Sequence, residues 1–443
     1  MGRRHVVALA GMVALTLPSA CGSAVGPAPG LPSRATDGVL AATTSPAEVV
    51  SGERAAARTT VAERMVRTRA AGLSDGDERA WGAGLADPAA RTEQDAIFRR
   101  MQAMGVESVR LRSLEEVVAP SPGADGGAVT WTVRAALDYR LRSFDEAPRE
   151  FSVDLTFRAD PDRVAATAGI IGSRPVDRPQ PWDLPGLVVR RSANALVLAS
   201  GPEELADELA RRATRAARQV SDVLGSAEPA VWLAPGTDAE AAQVLGRSEG
   251  DLEGIAAVTD GPIGQHRPAG ADRIVIVPTA WSSLSGAGRE AVMAHELTHV
   301  TTRRSSVRQP PLWLSEGLAE FVAYRGLAVE EKELVRSAVE RVQAAGVPVQ
   351  APSPRDFDAG PEDRAVAYGL SLLLVRTIAE GHGADGLVRL FQAVNSGPVG
   401  PTPLGSDAEA VTRHYLRTLL HTDWDDVLTA WRSRLTRLAE GTS

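Results

Sequence analysis

Apolar residues recur along this chain with two different periods, and the change between them divides it. From about 49 to 118 the spacing is helical. Val61, Met65 and Val66, then Trp81 and Leu85, mark amphipathic segments broken at Gly72-Leu73-Ser74-Asp75-Gly76-Asp77, and a shorter helix is predicted near 95–104. Over 106–172 the period switches to two. Val129, Trp131 and Val133 alternate with Thr130 and Thr132, and Phe151, Val153, Leu155 and Phe157 alternate with Ser152, Asp154, Thr156 and Arg158. This alternation predicts half-buried antiparallel strands. Pro175, Pro179, Pro181 and Pro185 argue against a helix or central strand there and predict a stiff linker over 175–186. Beyond it, 187–190 and 195–198 predict a hairpin around Arg191-Ser192-Ala193-Asn194, and 202–224 a long helix with Arg and Glu on its outer face. Strands are predicted at 231–233, 255–258 and 273–277. From about 327 to 443 the period is helical again, at 368–380, 387–394 and 423–438, where Trp424, Leu428, Trp431 and Leu435 are core positions.

Chemistry-bearing residues cluster just after the last predicted strand. Ala294-His295-Glu296-Leu297-Thr298-His299 contains H-E-x-x-H. Residues four apart share a helix face, so His295 and His299 can present imidazoles to one ion. Glu296 sits beside the first of them, where a carboxylate can take a proton from a metal-bound water. Ser285 is the expected N-cap of this helix, and Ala291, Val292, Ala294, Leu297, Thr298 and Val300 form its apolar body. After sixteen intervening residues comes Glu316, in Trp313-Leu314-Ser315-Glu316-Gly317-Leu318-Ala319-Glu320. Pro310-Pro311 marks the entry of a second helix, Leu314, Leu318 and Phe321 its apolar stripe, and Gly326 its end. Glu316 and Glu320 share a face, which makes Glu316 the third ligand and Glu320 the acceptor for the other N–H of a ligand histidine. Two His and one Glu leave the fourth position of a tetrahedral zinc open, as hydrolysis requires.

H-E-L-T-H followed by W-L-S-E-G-L-A-E resembles the gluzincin metallopeptidases, the group containing thermolysin and the zinc aminopeptidases, and within it the small bacterial peptidase MA-like proteins of the cell envelope. The resemblance covers roughly 187–443. It implies a thermolysin-like catalytic domain: a twisted sheet packed on the active-site helix, a mainly helical C-terminal half, and Zn2+ on His295, His299 and Glu316, with Glu296 as general base. It further implies that an edge strand binds substrate backbone, with 255–258 as the candidate. It also points to Tyr368, in Ala367-Tyr368-Gly369-Leu370, as donor to the developing oxyanion. The Lys-Gly pair that accompanies this Tyr in zinc aminopeptidases is absent here; Tyr324 and His382 are the other candidates for the role. A Gly-Ala-Met-Glu-Asn type of signature is absent near 255–262, which favours an endopeptidase over an aminopeptidase. Helices followed by strands over 49–174, with the Asp75-Gly76-Asp77…Trp81 opening, resemble the nuclear-transport-factor-2-like cone, an α+β roll read here as a spacer or partner-binding domain.

Composition adds the setting. The chain has 443 residues, 44% of them apolar, and a net charge of −8 with no basic patch, which argues against nucleic acid as partner. Arg3-Arg4 and the apolar run Val6–Leu17 read as a signal segment too short to span a bilayer, closing at Leu17-Pro18-Ser19-Ala20-Cys21. Cys21 is the sole cysteine and so excludes an intrachain disulfide. Its place resembles a bacterial lipoprotein signal, which implies acylation of Cys21 and a membrane anchor; cleavage near Ala20 or Ala24 is the alternative and would give a soluble secreted protein. The expected organisation is a signal peptide over 1–21, a Gly/Pro/Ser-rich tether over 22–48, the cone-like domain over 49–174, the linker over 175–186 and the metallopeptidase domain over 187–443. The chain is thus read as an α+β, exported, lipid-anchored zinc metallopeptidase acting on peptide or protein substrates, with a possible envelope protein partner at the front domain. The alternative is a pseudopeptidase or partner-binding lipoprotein with a non-catalytic metal site.

Overall fold

The computed structural model describes residues 46–122, 127–261, 270–397 and 407–441. The structure is mixed α+β, and its Cα packing separates two units. One holds the described residues up to Arg140 together with 149–177; the other holds those from Arg178 onward together with the turn Leu141–Pro148.

In the first unit α1 (Pro46–Asp75) buries Val61, Val66, Ala70 and Leu73. Asp77 caps α2 (Glu78–Trp81) by accepting from the N–H groups of Arg79 and Ala80. Asp87 caps α3 (Pro88–Met104), Pro88 occupies a position whose N–H has no helical partner, and Gly105 ends the helix at φ 74°. The Arg69 guanidinium ties the three helices together: it lies 4.1 Å over the Trp81 ring, and its Nη2 donates to Gln94 Oε1 at 2.6 Å. The strands β1 (Val106–Pro122), β2 (Val129–Leu141), β3 (Arg149–Ala159) and, after the single turn α4 (Val164–Thr167), β4 (Gly169–Pro175) form a sheet in that order. Trp131 and Phe157 face each other across the antiparallel β2–β3 pair and stack at 5.3 Å. Asp154 is buried between Arg134 and Arg174, each 2.8 Å away; the Arg134 hydrogen bond outweighs burial and holds its carboxyl below the usual range.

The helical reading of 106–118 is corrected here, because β1 occupies those residues. Val106, Val109, Leu114 and Val117 have spacings of three to five that imitate a helix face, but pairing with β2 decides the conformation. The Pro-rich stretch folds into a 3-10 turn, Pro181–Asp183, with Trp182 and Leu184 buried.

The second unit opens with the hairpin β5 (Leu187–Arg191) and β6 (Ala195–Ser200), followed by α5 (Glu203–Leu224), β7 (Ala230–Ala234), α6 (Asp238–Leu245), β8 (Ala257–Asp260) and β9 (Arg273–Ile276). The sheet order is β5-β6-β7-β9-β8; the inner pairs are parallel and both edge strands run antiparallel to their neighbours. Strands β6, β7 and β9 are buried along their whole length, which explains the apolar runs at 195–199, 230–234 and 274–276. The edge strand β8 begins two residues later than the sequence reading of 255–258.

Helices complete this unit: α7 (Pro278–Ser283), α8 (Gly286–Arg304), α9 (Leu312–Ala323), α10 (Glu331–Leu334), α11 (Arg336–Ala345), α12 (Pro354–Asp358), α13 (Pro361–Ser396), α14 (Ala408–Leu419) and α15 (Trp424–Glu440). The stretches read as separate helices at 368–380 and 387–394 are divided, as read, at Gly383 inside the α13 span, where the backbone is non-helical at φ 75°, ψ 164°. The first of these helices starts at Pro361, so Tyr368 lies two turns inside it rather than at its start. Glu331 on α10 receives Arg376 of α13 at 2.8 Å and Arg434 of α15 at 2.6 Å, which binds the helical layer together. The Arg side of α5 meets the first turns of α8, with Arg212 and Arg215 reaching Glu290 at 2.7 and 2.5 Å.

Arg273 on β9 and Asp145 in the Leu141–Pro148 turn form a buried bidentate pair, with both N–O distances 2.7 Å and side-chain exposures of 3% and 0%. Asp145→Ala is expected to cost about 3–5 kcal/mol, because it removes both carboxylate hydrogen bonds from a buried guanidinium. The Arg54–Asp162 pair, 51% and 75% exposed, is the control: Asp162→Ala should change stability by about 0.5 kcal/mol or less. Urea unfolding of the full chain, followed by tryptophan fluorescence, measures both.

Candidate metal centre

Helix α8 starts where the sequence places it: Ser285 accepts the Gly288 N–H at 3.0 Å. Ala291 through Val300 are all buried, so the helix runs through the interior and packs on α5, α9 and β8. His295 and His299 thus enter a dry space on one helix face, with their Nε2 atoms 3.1 Å apart. Helix α9 brings Glu316 to the same point. Its Oε2 lies 3.3 Å from His295 Nε2 and 3.2 Å from His299 Nε2. Among the described residues these three form the one group of His, Cys, Asp and Glu whose ligand atoms converge, all within 4.8 Å of one another, and such a group could hold a metal ion.

One turn further along α9, Glu320 Oε1 lies 2.9 Å from His295 Nδ1. The carboxylate can accept a hydrogen bond from Nδ1–H, which would leave Nε2 available to a metal ion. Tyr324, at the end of α9, donates its hydroxyl hydrogen bond to the same Glu320 carboxylate. Of the three oxyanion candidates, Tyr324 is therefore engaged behind the ligands. His382 lies elsewhere, its Nε2 3.0 Å from Thr422 Oγ1, at the end of the helical stretch before Gly383. Tyr368 is at the centre: its ring meets His295 edge-on at 5.9 Å and Phe357 at 5.5 Å. Cys21 lies outside the described residues.

Glu296 is fully buried. Its Oε2 accepts the Thr259 hydroxyl from β8 at 2.5 Å, and Oε1 has no hydrogen-bond partner among the described residues. Burial raises its carboxyl pKa, against the opposing pull of His295, His299 and Thr259. Burial would push the His295 imidazolium down, but Glu316 and Glu320 outweigh it and raise it to about 10. Burial likewise pushes Glu316 up, and His299 and His295 reverse that to about 2. Burial, then the charges of Glu316, Glu320 and Glu296, hold the Tyr368 hydroxyl well above its ordinary value, so it stays a proton donor at neutral pH.

Several residues of the second motif have a structural task. Trp313 Nε1 donates to Glu409 Oε1 on α14 at 2.9 Å, and Leu314 and Leu318 are buried. Gln219 of α5 caps the far end of α9, donating to Val322 O at 2.7 Å and Ala323 O at 2.9 Å. Gly317 marks the close crossing of α9 and α13: a Cβ there would stand 2.7 Å from both Ser371 O and Val375 Cγ1. Gln219 and Thr259 are the residues sequence reasoning missed. Thr259 follows the strand residues 255–258 directly, and nothing local connects it to Glu296, 37 positions away.

No family model matches the chain, and no curated protein and no solved structure matches it either.

Gly317→Ala is expected to cost about 1–3 kcal/mol through overpacking. It should also weaken metal binding, because the crossing that gives way lies next to Glu316. Gly286→Ala, at a helical glycine with nothing within 4 Å, should leave both quantities near their starting values. Thermal melting and zinc titration of the two variants make the comparison.

Proposed function

We propose that this chain is a zinc metallopeptidase of the gluzincin kind. The observation that carries this reading is the triangle of His295 Nε2, His299 Nε2 and Glu316 Oε2, with sides of 3.1, 3.2 and 3.3 Å. A tetrahedral zinc with bonds of ~2.0–2.1 Å sets its ligand atoms ~3.3–3.4 Å apart, close to these sides. Three protein ligands, rather than four, fit a catalytic site better than a structural one. Glu296 Oε1, without a partner among the described residues, supports the same reading, since a site needed only to hold zinc would not require a buried carboxylate beyond Glu316 and Glu320. A five-stranded sheet carrying β8 against α8, followed by helices, agrees with the layout of a gluzincin domain.

When bound, zinc supplies Lewis-acid polarisation of a peptide carbonyl and lowers the pKa of a coordinated water. Glu296 takes a proton at Oε1 and passes it to the leaving amine nitrogen. Glu320 keeps His295 in the Nε2-ligand tautomer. Tyr368, still protonated, donates to the oxygen on which charge develops. Unfolded peptide segments are the proposed substrate class, with internal cleavage favoured. The front unit is assigned no chemistry; a cone-like, partner-binding role is the reading its helix–sheet order supports. Export and a lipid on Cys21 complete the proposal. No helix among the described residues is long and apolar enough to cross a membrane.

Glu296→Gln should bind zinc as the wild type does and lose hydrolysis of an unfolded protein by about 10²–10⁴-fold. Glu320→Gln should weaken zinc binding or activity by about 10–100-fold, and Glu316→Ala should weaken zinc binding further still. Metal analysis and chelator-sensitive proteolysis on the same preparations separate base from ligands. Wild-type turnover in Glu296→Gln contradicts the mechanism. A wild-type chain that holds zinc and cleaves nothing favours the pseudopeptidase.

A further inference from the structure

We propose that Thr259, on the edge strand β8, is a positioning residue that fixes which oxygen of Glu296 handles the proton. The inference rests on the reading of Glu296 as the proton carrier.

The Thr259 hydroxyl lies 2.5 Å from Glu296 Oε2 and 3.4 Å from the Glu296 carbonyl oxygen, and the residue is 1% exposed. An ionised carboxylate only accepts, so the hydroxyl is the donor to Oε2. The other oxygen, Oε1, is buried and has no hydrogen-bond partner among the described residues. A carboxylate with no such tether turns about its last bond and can present either oxygen. With Oε2 held, the proton-carrying atom is Oε1, and the group needs no reorientation between taking a proton and giving it up.

The tether is itself rigid. Thr259 pairs with Ile274 in the β8–β9 ladder, so its backbone is fixed by the sheet. Alternation along the strand sends Val258 and Asp260 to the opposite face, where Asp260 meets Arg178 at 3.5 Å. The branched Cβ of Thr259 restricts its side-chain rotation. The edge strand and the active-site helix are thereby joined at the base itself. In the hydrolysis, water supplies the proton that Glu296 Oε1 accepts and then hands to the leaving nitrogen. The Thr259 proton stays on Oγ1 throughout, so no additional reactant is needed. The effect belongs to turnover more than to substrate binding.

Two substitutions divide the hydroxyl from the methyl. Thr259→Val keeps the branched shape and removes the donor; Thr259→Ser keeps the donor and removes the methyl. Both are made in the full chain, loaded with zinc, and assayed on unfolded casein and then on a fluorogenic peptide taken from one of its cleavage sites. For Thr259→Val the expected result is a fall in kcat of about 10–100-fold with KM within about twofold, with zinc stoichiometry unchanged and Tm lowered only by the loss of one buried hydrogen bond. Thr259→Ser should recover kcat to within about threefold of wild type. The reverse order, a silent valine and a damaged serine variant, is the pattern of methyl packing and overturns the inference. If the valine variant does not fold, Thr259→Ala replaces it, and equal kcat values in the alanine and serine variants overturn the inference. A wild-type chain that binds zinc and cleaves nothing removes the reading of Glu296 and this inference with it; an active wild type with an equally active Thr259→Val removes the inference alone.

Discussion

Two imidazoles and a carboxylate are held within about one hydrogen-bond length of each other in the dry interior, and the second unit is organised around that contact. Taking such groups out of water is costly, and the cost is recovered only when geometry is close and the remaining polar atoms are satisfied. Both conditions hold on the ligand side. His295 shares its two nitrogens between Glu316 and Glu320, and Glu320 is in turn met by Tyr324. Glu296 Oε1, buried and without a hydrogen-bond partner among the described residues, is the atom that the proposed reaction employs.

The contact depends on two helices keeping their register. Helix α8 is held on one side by α5, through Glu290 with Arg212 and Arg215, and meets the sheet at β8 through Thr259. Helix α9 is fixed along its length: by the Trp313–Glu409 hydrogen bond near its start, by the bare backbone of Gly317 against α13 in the middle, and by Gln219 at its end. A one-residue slip of α9 would rotate Glu316 by about 100° away from the imidazoles. The glycine next to Glu316 is therefore a requirement of packing, and through packing of the His295–His299–Glu316 geometry.

Much of this centre was legible because its logic is local. A four-residue interval on a helix places His295 with His299, and Glu316 with Glu320, before any tertiary contact is considered. The N-cap at Ser285 and the apolar body of α8 are local as well. What the sequence could not convey depends on distant pairing. Thr259 reaches Glu296 only because β8 adds to β9 at the sheet edge. Arg273 is buried with Asp145, 128 positions away, and neither residue carries a local sign of the other. The residues of β1 space their apolar side chains like a helix, and only the neighbouring strand makes them a strand. By contrast, the break between the helices read at 368–380 and 387–394 was legible, and the non-helical Gly383 supplies it. The second unit was thus readable where side chains share an element, and obscure where separate elements meet.

The central claim is that His295, His299 and Glu316 form a three-ligand zinc site with one position open. Zinc K-edge X-ray absorption on the purified full chain, combined with metal analysis, tests it most directly. The account expects one zinc per chain, two imidazole nitrogens and carboxylate and water oxygen in the first shell, at about 2.0–2.2 Å. A chain that takes up no stoichiometric zinc after reloading, or an ion whose shell lacks imidazole, would contradict it.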